Sequence, residues 1–272
     1  MGTKVIKGAD ISAHQSSIDF KKAKKDGIKF IIPRSSYART KDKRFEEFVK
    51  GAKNAGVEIK GVYVFSYALK SSDATKEAEY CVKLVKKAGL SKDTIIFYDF
   101  EYDTVRHGRD HKVSLGPKSC QSFTKAFCKK VKELGYPAGV YSNIDYYNRM
   151  YQGKVIGDNI FWLAHYTSGD PWKKCVVHQY TSKGRVNGMS GNIDMNKWYG
   201  GVKKDETKPE ETKEKEEKKD TTKKKTTTEI AKEVIAGKWG NGATRKKKLE
   251  KAGYNYEEVQ KKVNELSKKK KG

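Results

Sequence analysis

Thr94-Ile95-Ile96-Phe97-Tyr98-Asp99-Phe100-Glu101 is an apolar, β-favouring run that ends in two carboxylates spaced i, i+2. Side chains on a strand alternate faces, so Asp99 and Glu101 point one way while Tyr98 and Phe100 point the other. Two acids on one face at the end of a buried strand repel each other, and at least one keeps its proton to higher pH than an isolated carboxyl. Such a pair suits general acid catalysis at a glycosidic bond. An Asp-x-Glu at a solvated strand end is common, so its weight depends on what surrounds it.

Outward from this run, residues 1–200 alternate short apolar stretches with amphipathic ones. Strands are expected over Val5–Ser12, Ile28–Arg34, Ile59–Tyr67, Thr94–Glu101, Ala138–Ser142, Asn159–His165, Val176–Tyr180 and Gly191–Met195. Helical periodicity falls near Ile18–Lys25, Lys43–Ala55, Asp73–Ala88 and Pro117–Leu134. Gly27, Gly56, Gly89 and Gly135 follow these helices, where a left-handed residue closes a helix. The pattern predicts an α/β fold, a TIM-like β/α barrel. Its later strands follow too closely for full helical crossovers, so the closing side should be irregular, with short or antiparallel connections.

Residues 201–228 are Lys, Glu, Asp and Thr with almost no apolar side chain, and read as a charged flexible linker. A new apolar pattern starts at Glu229: Ile230, Val234, Ile235, Trp239, Leu249, Tyr254, Tyr256, Val259, Val263 and Leu266. Three short helices over 229–267 are expected to make a small bundle, with 268–272 as a basic tail. It is near the lower size limit for independent folding.

The chain has 272 residues, 36% of them hydrophobic, and no apolar run long enough to span a bilayer. Its N-terminus, Met1-Gly2-Thr3-Lys4-Val5-Ile6-Lys7, leads straight into a strand and carries no apolar signal core, so synthesis in a cytoplasm without a signal peptide is expected. Cys81, Cys120, Cys128 and Cys175 are widely spaced, and neither they nor the five histidines show metal-ligand spacing. Buried reduced thiols, no metal and no cofactor are expected. The formal net charge is +25, yet only eight of the 59 basic residues are Arg, and no nucleic-acid-binding motif accompanies them. A Lys-rich chain fits a polyanion met as a diffuse field better than base readout. An anionic cell wall is such a field.

The motifs around the acid run resemble glycoside hydrolase family 25, the Chalaropsis-type lysozymes. Gly8-Ala9-Asp10-Ile11-Ser12 with Gln15 and Ile18-Asp19-Phe20 resembles the opening motif, with Phe20 where Trp is usual. Phe30-Ile31-Ile32-Pro33-Arg34 resembles the second strand, Pro33 being unusual there. Gly61–Ala68, Tyr98–Glu101, Gly139–Asn143, Trp162–Tyr166, His178–Tyr180 and Gly191–Asn196 follow in order. The segment from Ile230 to Gln260 resembles a choline-independent cell-wall-binding repeat.

The resemblance implies an irregular barrel that hydrolyses the β-1,4 bond between N-acetylmuramic acid and N-acetylglucosamine with retention. It implies Glu101 as general acid/base, Asp99 as its partner, and Asp10 and Asp194 completing an acidic cluster. Whether a carboxylate or the substrate's acetamido oxygen attacks stays open, with acetamido participation favoured. Asp10 has a second reading as a buried partner of Arg34, and Asp194 as a fixture of the last strand. Tyr67, Tyr141, Trp162 and Tyr166, with Gln179 and Arg34, are expected to bind substrate, and Tyr63 to pack in the core. Arg106–His111 reads as a polar loop at the cleft rim. In the C-terminal repeat Arg245, Asn241 and Trp239 are the wall-binding candidates. The expected partners are Gram-positive peptidoglycan and teichoic acids, with no nucleic acid and no membrane insertion. A monomer is expected, with dimerisation through the C-terminal region as the alternative. The implied setting is a phage endolysin released from the host cytoplasm through a holin; a bacterial autolysin or a non-catalytic wall binder are the rivals.

Overall fold

The computed structural model describes residues 5–154, 158–167, 175–200, 226–235, 239, 242–252 and 254–268. Two compact units divide the chain, Met1–Asp205 and Glu206–Gly272.

In the first unit the elements run β1 (Ile6–Ile11), α1 (Phe20–Lys25), β2 (Phe30–Tyr37), β3 (Thr40–Lys41), α2 (Phe45–Ala55), β4 (Glu58–Ile59), β5 (Gly61–Phe65), α3 (Ser71–Lys87), β6 (Ile95–Asp99), α4 (Tyr102–Asp110), α5 (Pro117–Glu133), β7 (Ala138–Asn143), α6 (Ile144–Arg149), β8 (Ile160–Ala164), β9 (Val177–Val186) and β10 (Met189–Trp198). Eight strands close a barrel in the order β1-β2-β5-β6-β7-β8-β9-β10, and β10 returns to β1. Pairing is parallel from β1 round to β9, whereas β10 runs antiparallel to both its neighbours. The closing side is thus a hairpin turning at Asn187-Gly188, as the close spacing of the last strands predicted. Pro33 sits in β2 between the last residue paired with β4, Ile31, and the first paired with β5, Arg34. The missing N–H falls where that edge changes partner, the kind of place a strand tolerates proline.

Strand alternation sorts the core. Tyr98 and Phe100 face outward onto α5, where Tyr98 meets Phe127 and Phe100 meets Phe123. Phe97 faces the barrel interior with Phe30, Ile32, Tyr63, Trp162, Val177 and Trp198. A Cβ on Gly139 would stand 2.3 Å from the Phe97 ring, so glycine there admits the large ring. Truncating such a buried phenylalanine to alanine costs about 3–5 kcal/mol.

Lysines staple successive helix ends. Lys24 Nζ donates to Ala55 O at the end of α2, Lys53 Nζ to Ala88 O and Gly89 O after α3, and Lys92 Nζ to Leu134 O after α5. A cation on the last carbonyls complements the helix dipole, so part of the lysine excess serves the fold.

Two sequence expectations change. Arg106–Asp110 belong to α4, with His111 as its C-terminal cap, and are not loop. This helix buries only Thr104 and Gly108, so it lacks the apolar stripe by which a helix is recognised. The short α6 was likewise not foreseen.

In the second unit α7 (Thr227–Ile235), α8 (Gly242–Lys251) and α9 (Tyr256–Lys268) share an apolar cluster of Ile230, Ala231, Val234, Leu249, Val259 and Val263, with Trp239, Tyr254, Tyr256 and Leu266 packed against it. The expected linker lies outside the described residues over 201–225, and the expected tail over 269–272. Thr226–Thr228 belong to the helix start: Thr226 N–H donates to Glu229 Oε2 and Glu229 N–H to Thr226 Oγ1, a reciprocal cap readable in the Thr-x-x-Glu spacing.

Candidate active site

The acids meet at the C-terminal ends of the parallel strands. Asp10 near the end of β1 lies opposite Asp194 of β10 in register, and Asp99 ends β6. Glu101 caps α4 with φ −126° and ψ −177°, so the chain stays extended past the strand and both carboxyls keep to one side. The four predicted acids therefore gather at one barrel mouth, where Asp99 feels the charges of Glu101 and Asp10, and Asp10 that of Asp194.

Their surroundings differ. Asn143 Nδ2 donates to Glu101 Oε1 and Oε2 at 3.1 and 3.2 Å, while its own Oδ1 accepts Tyr146 N–H at 2.8 Å as the cap of α6. The cap fixes which way the amide points. Tyr102 N–H and the Tyr141 hydroxyl also face Glu101 and favour its anion. Burial nevertheless raises its pKa, and the three donors offset this only in part. Asp99 is 5% exposed, and its Oδ1 is buried with no hydrogen-bond partner. Burial first, then the charges of Glu101 and Asp10, push its carboxyl well above the usual range, against a weaker opposing pull from Arg34.

Asp10 is clamped. Its Oδ2 accepts Asn196 Nδ2 at 2.7 Å and Gln179 Nε2 at 2.8 Å. Trp162 Nε1, a donor only, binds Asn196 Oδ1 at 2.8 Å and so fixes that amide's orientation. Gln179 Oε1 accepts the Tyr166 hydroxyl at 2.9 Å and the Tyr141 hydroxyl at 3.4 Å. Burial and Asp194 still push Asp10 well up, and burial lifts Asp194 to about 6.

Three predicted contacts are revised. Trp162 is 1% exposed, covered by Tyr63, Phe97 and Tyr141 edge-on, so it cannot stack on a sugar and instead holds Asn196. Gln179 is buried with its amide bonded to Asp10, not open to a sugar. Arg34 Nε pairs with the buried Asp42 at 2.8 Å, so Asp10 is not its partner. Asp42 Oδ2 also accepts Ala13 N–H, tying the loop after β1 to β2. Tyr63 packs in the interior as expected.

Tyr166 is 58% exposed, and half-buried Tyr67 rests against Phe65 and His107. Tyr102, 47% exposed beside Glu101 and bonded to Asp145 at 2.7 Å, joins them and was not foreseen. Asn143 and Asn196 were also missed. Each stood inside a motif that had been recognised, but only the fold brings them to Glu101 and Asp10. Among the described residues no three His, Cys, Asp or Glu side chains are gathered as a metal ion needs. The four cysteines are buried and in no disulfide, with Cys81, Cys120 and Cys128 pushed up to about 12.

In the second unit Trp239 Nε1 donates to Glu233 Oε2 at 3.0 Å with its ring edge-on to Tyr254. Half-buried Arg245 Nη1 donates to Gln260 Oε1 at 3.2 Å. Asn241 lies outside the described residues.

Residues 9–189 match the model of glycosyl hydrolases family 25, and residues 228–266 that of the CW_7 repeat. The autolytic lysozyme of Clostridium acetobutylicum is 30% identical over 202 residues, covering 72% of this chain and 57% of its own. The modular autolysin LytC of Streptococcus pneumoniae, solved with a synthetic peptidoglycan ligand, has a TM-score of 0.64 at 26% identity, covering 73% of this chain and 48% of its own. The catalytic domain of endolysin ply40 from bacteriophage P40 of Listeria monocytogenes has a TM-score of 0.55 at 25% identity, covering 71% of this chain and 92% of its own. The chain spans about half the length of the first two.

Proposed function

The chain belongs to the glycosyl hydrolases of family 25, and from that premise we propose that residues 1–200 form a peptidoglycan muramidase. It cleaves the β-1,4 bond between N-acetylmuramic acid and N-acetylglucosamine with retention. One observation carries the reading: Asp99 and Glu101 share the barrel mouth with raised pKa values, Glu101 gripped by donors and Asp99 Oδ1 buried with none.

Glu101, protonated, gives its proton to the bridging oxygen as the bond from the muramic acid C1 breaks. The acetamido oxygen of the same sugar attacks C1, and its N–H donates to Asp99. Before substrate arrives burial raises Glu101, and burial together with the charges of Glu101 and Asp10 raises Asp99. An N–H donor favours its anion and leaves the shared proton on Glu101. Positive charge developing on the ring meets Asp99, Asp10 and Asp194. A water deprotonated by Glu101 then attacks C1 from the face the leaving sugar vacated, which restores the β configuration. Tyr67, Tyr102 and Tyr166 offer rings and hydroxyls to neighbouring sugars.

The C-terminal unit is read as wall-binding through Arg245, with Trp239 in its core, and the lysine excess as attraction to wall polyanions such as teichoic acids. A phage endolysin released through a holin is the setting proposed. Full-length protein made in a cytoplasm should leave cells intact until a holin is co-expressed, and lysis without one contradicts that route.

The activity is tested by reducing ends released from purified Gram-positive peptidoglycan. Release by the full chain and its loss in Glu101→Gln are expected. A full chain that binds walls and releases none would make this a binding protein.

A further inference from the structure

We propose that Glu77 is a positioning residue for the Asp99–Glu101 pair, acting through Ser66; this rests on the muramidase reading. Glu77 lies on α3, in the layer outside the barrel, and touches none of the four acids of the cluster. It is 2% exposed and in no ion pair among the described residues. An unpaired acid there is costly unless hydrogen bonds compensate. Here they do: Glu77 Oε2 accepts the Ser66 hydroxyl at 2.8 Å and Oε1 accepts Tyr67 N–H at 3.0 Å. Ser66 Oγ also contacts the Tyr98 hydroxyl at 2.8 Å and accepts Ala68 N–H at 3.1 Å.

Ser66 grips both ends of the acid motif through its main chain. Its N–H donates to Asp99 O at 2.9 Å. Its C=O accepts the Thr104 hydroxyl at 2.7 Å, and Thr104 Oγ1 accepts Glu101 N–H at 3.1 Å. Ser66 and Thr104 have no exposed surface. The carboxyl of Glu77 therefore fixes one residue, and that residue fixes the backbone carrying Asp99 and Glu101. Tyr67, on the same tether, is a sugar-contact candidate. Burial, opposed by the bonds from Ser66 and Tyr67, raises the Glu77 carboxyl to about 7, with Asp73 adding to the rise and Arg39 opposing it. The site thus holds a neutral acid or its amide analogue comfortably.

Glutamine can keep the tether: its carbonyl accepts Tyr67 N–H, its amide donates to Ser66 Oγ, and the Ser66 hydroxyl turns to Tyr98. Methionine has the same reach and no such acceptor. In the full chain, Glu77→Met should lower kcat on soluble peptidoglycan fragments by about tenfold or more, with KM within about threefold, because misplacing reacting groups costs rate before binding. Glu77→Gln should retain kcat within about threefold. Amide hydrogen exchange reads the same tether without activity: Ser66 and Glu101 should lose protection in Glu77→Met and keep it in Glu77→Gln. Should Glu77→Met fail to fold, Ser66→Ala removes only the hydroxyl and should show the same exchange and kcat changes in smaller measure. Native kcat and native protection in a folded Glu77→Met overturn the proposal, as does a Glu77→Gln that is equally damaged. A wild-type chain without activity would sink the muramidase reading, while the exchange comparison would still decide the role of Glu77.

Discussion

Asp10 and Asp99 are buried alike, at 6% and 5% exposure, on strands of the same barrel mouth, yet they are treated oppositely. Two amides converge on Asp10 Oδ2, themselves fixed by an indole and two phenols. Asp99 Oδ1 has no partner. A fold that bonds one acid so fully and leaves its neighbour bare is spending the neighbour's solvation on something outside the chain. On the muramidase reading proposed above, the difference gives Asp10 the task of shaping the pocket's field and Asp99 that of meeting the substrate.

Substitutions rank these carboxyls by their effect on turnover. Glu101→Gln removes the proton donor while keeping acceptors for Asn143 and Tyr141. It should reduce turnover by about 10²–10⁴-fold or more, and near-native turnover would remove the residue from its role. Asp99→Asn should cost about 10²–10³-fold, comparable to losing one preorganised electrostatic partner. Asp10→Asn keeps an acceptor for both amides and should cost less than Asp99→Asn; the reverse order would overturn the assignment.

Stability separates the two regions next. Asn196→Leu leaves the Trp162 N–H and Asp10 short of partners and should destabilise by about 2 kcal/mol in denaturant titration. Asp10, Asp99, Glu101, Glu77 and Asp194 all have raised pKa values. Each therefore contributes stability that is fully present below its unfolded pKa and lost as pH rises through its folded pKa. With Glu77 at about 7 and Asp194 at about 6, the melting temperature should fall between pH 4.5 and 7.5. Glu77→Gln should flatten that fall, on the order of 3 kcal/mol for a buried acid shifted from 4.5 to about 7. A melting temperature that rises over this window would contradict the burial argument. The smallest expected effect is Lys53→Met, which frees the last carbonyls of α3 and should lower the melting temperature by roughly 1–3 °C.

How much of this could be read from the chain follows from distance along it. Asp99 and Glu101 were legible because strand alternation alone puts them together, and the irregular closing side because its strands leave no room for helices. Asn196 and Gln179 reach Asp10 across 186 and 169 residues, which no local pattern encodes. Asn143 was hidden by doing two jobs, capping a six-residue helix and holding Glu101. Trp162 misled because an aromatic at a strand end looks the same in sequence whether a sugar or a tyrosine covers it. Arg106–Asp110 read as loop because a helix that buries little carries no apolar stripe.

In the proposed mechanism Asp99 waits for the acetamido N–H of the muramic acid while Glu101 supplies the proton. This mechanism is tested most directly by digesting peptidoglycan, reducing the products with borohydride and identifying the reduced sugar, on walls with intact and with N-deacetylated muramic acid. Muramicitol ends are expected from intact walls, none with Glu101→Gln, and little cleavage at deacetylated sugars. Glucosaminitol ends, or equal cleavage at sugars lacking the acetyl group, would contradict the mechanism.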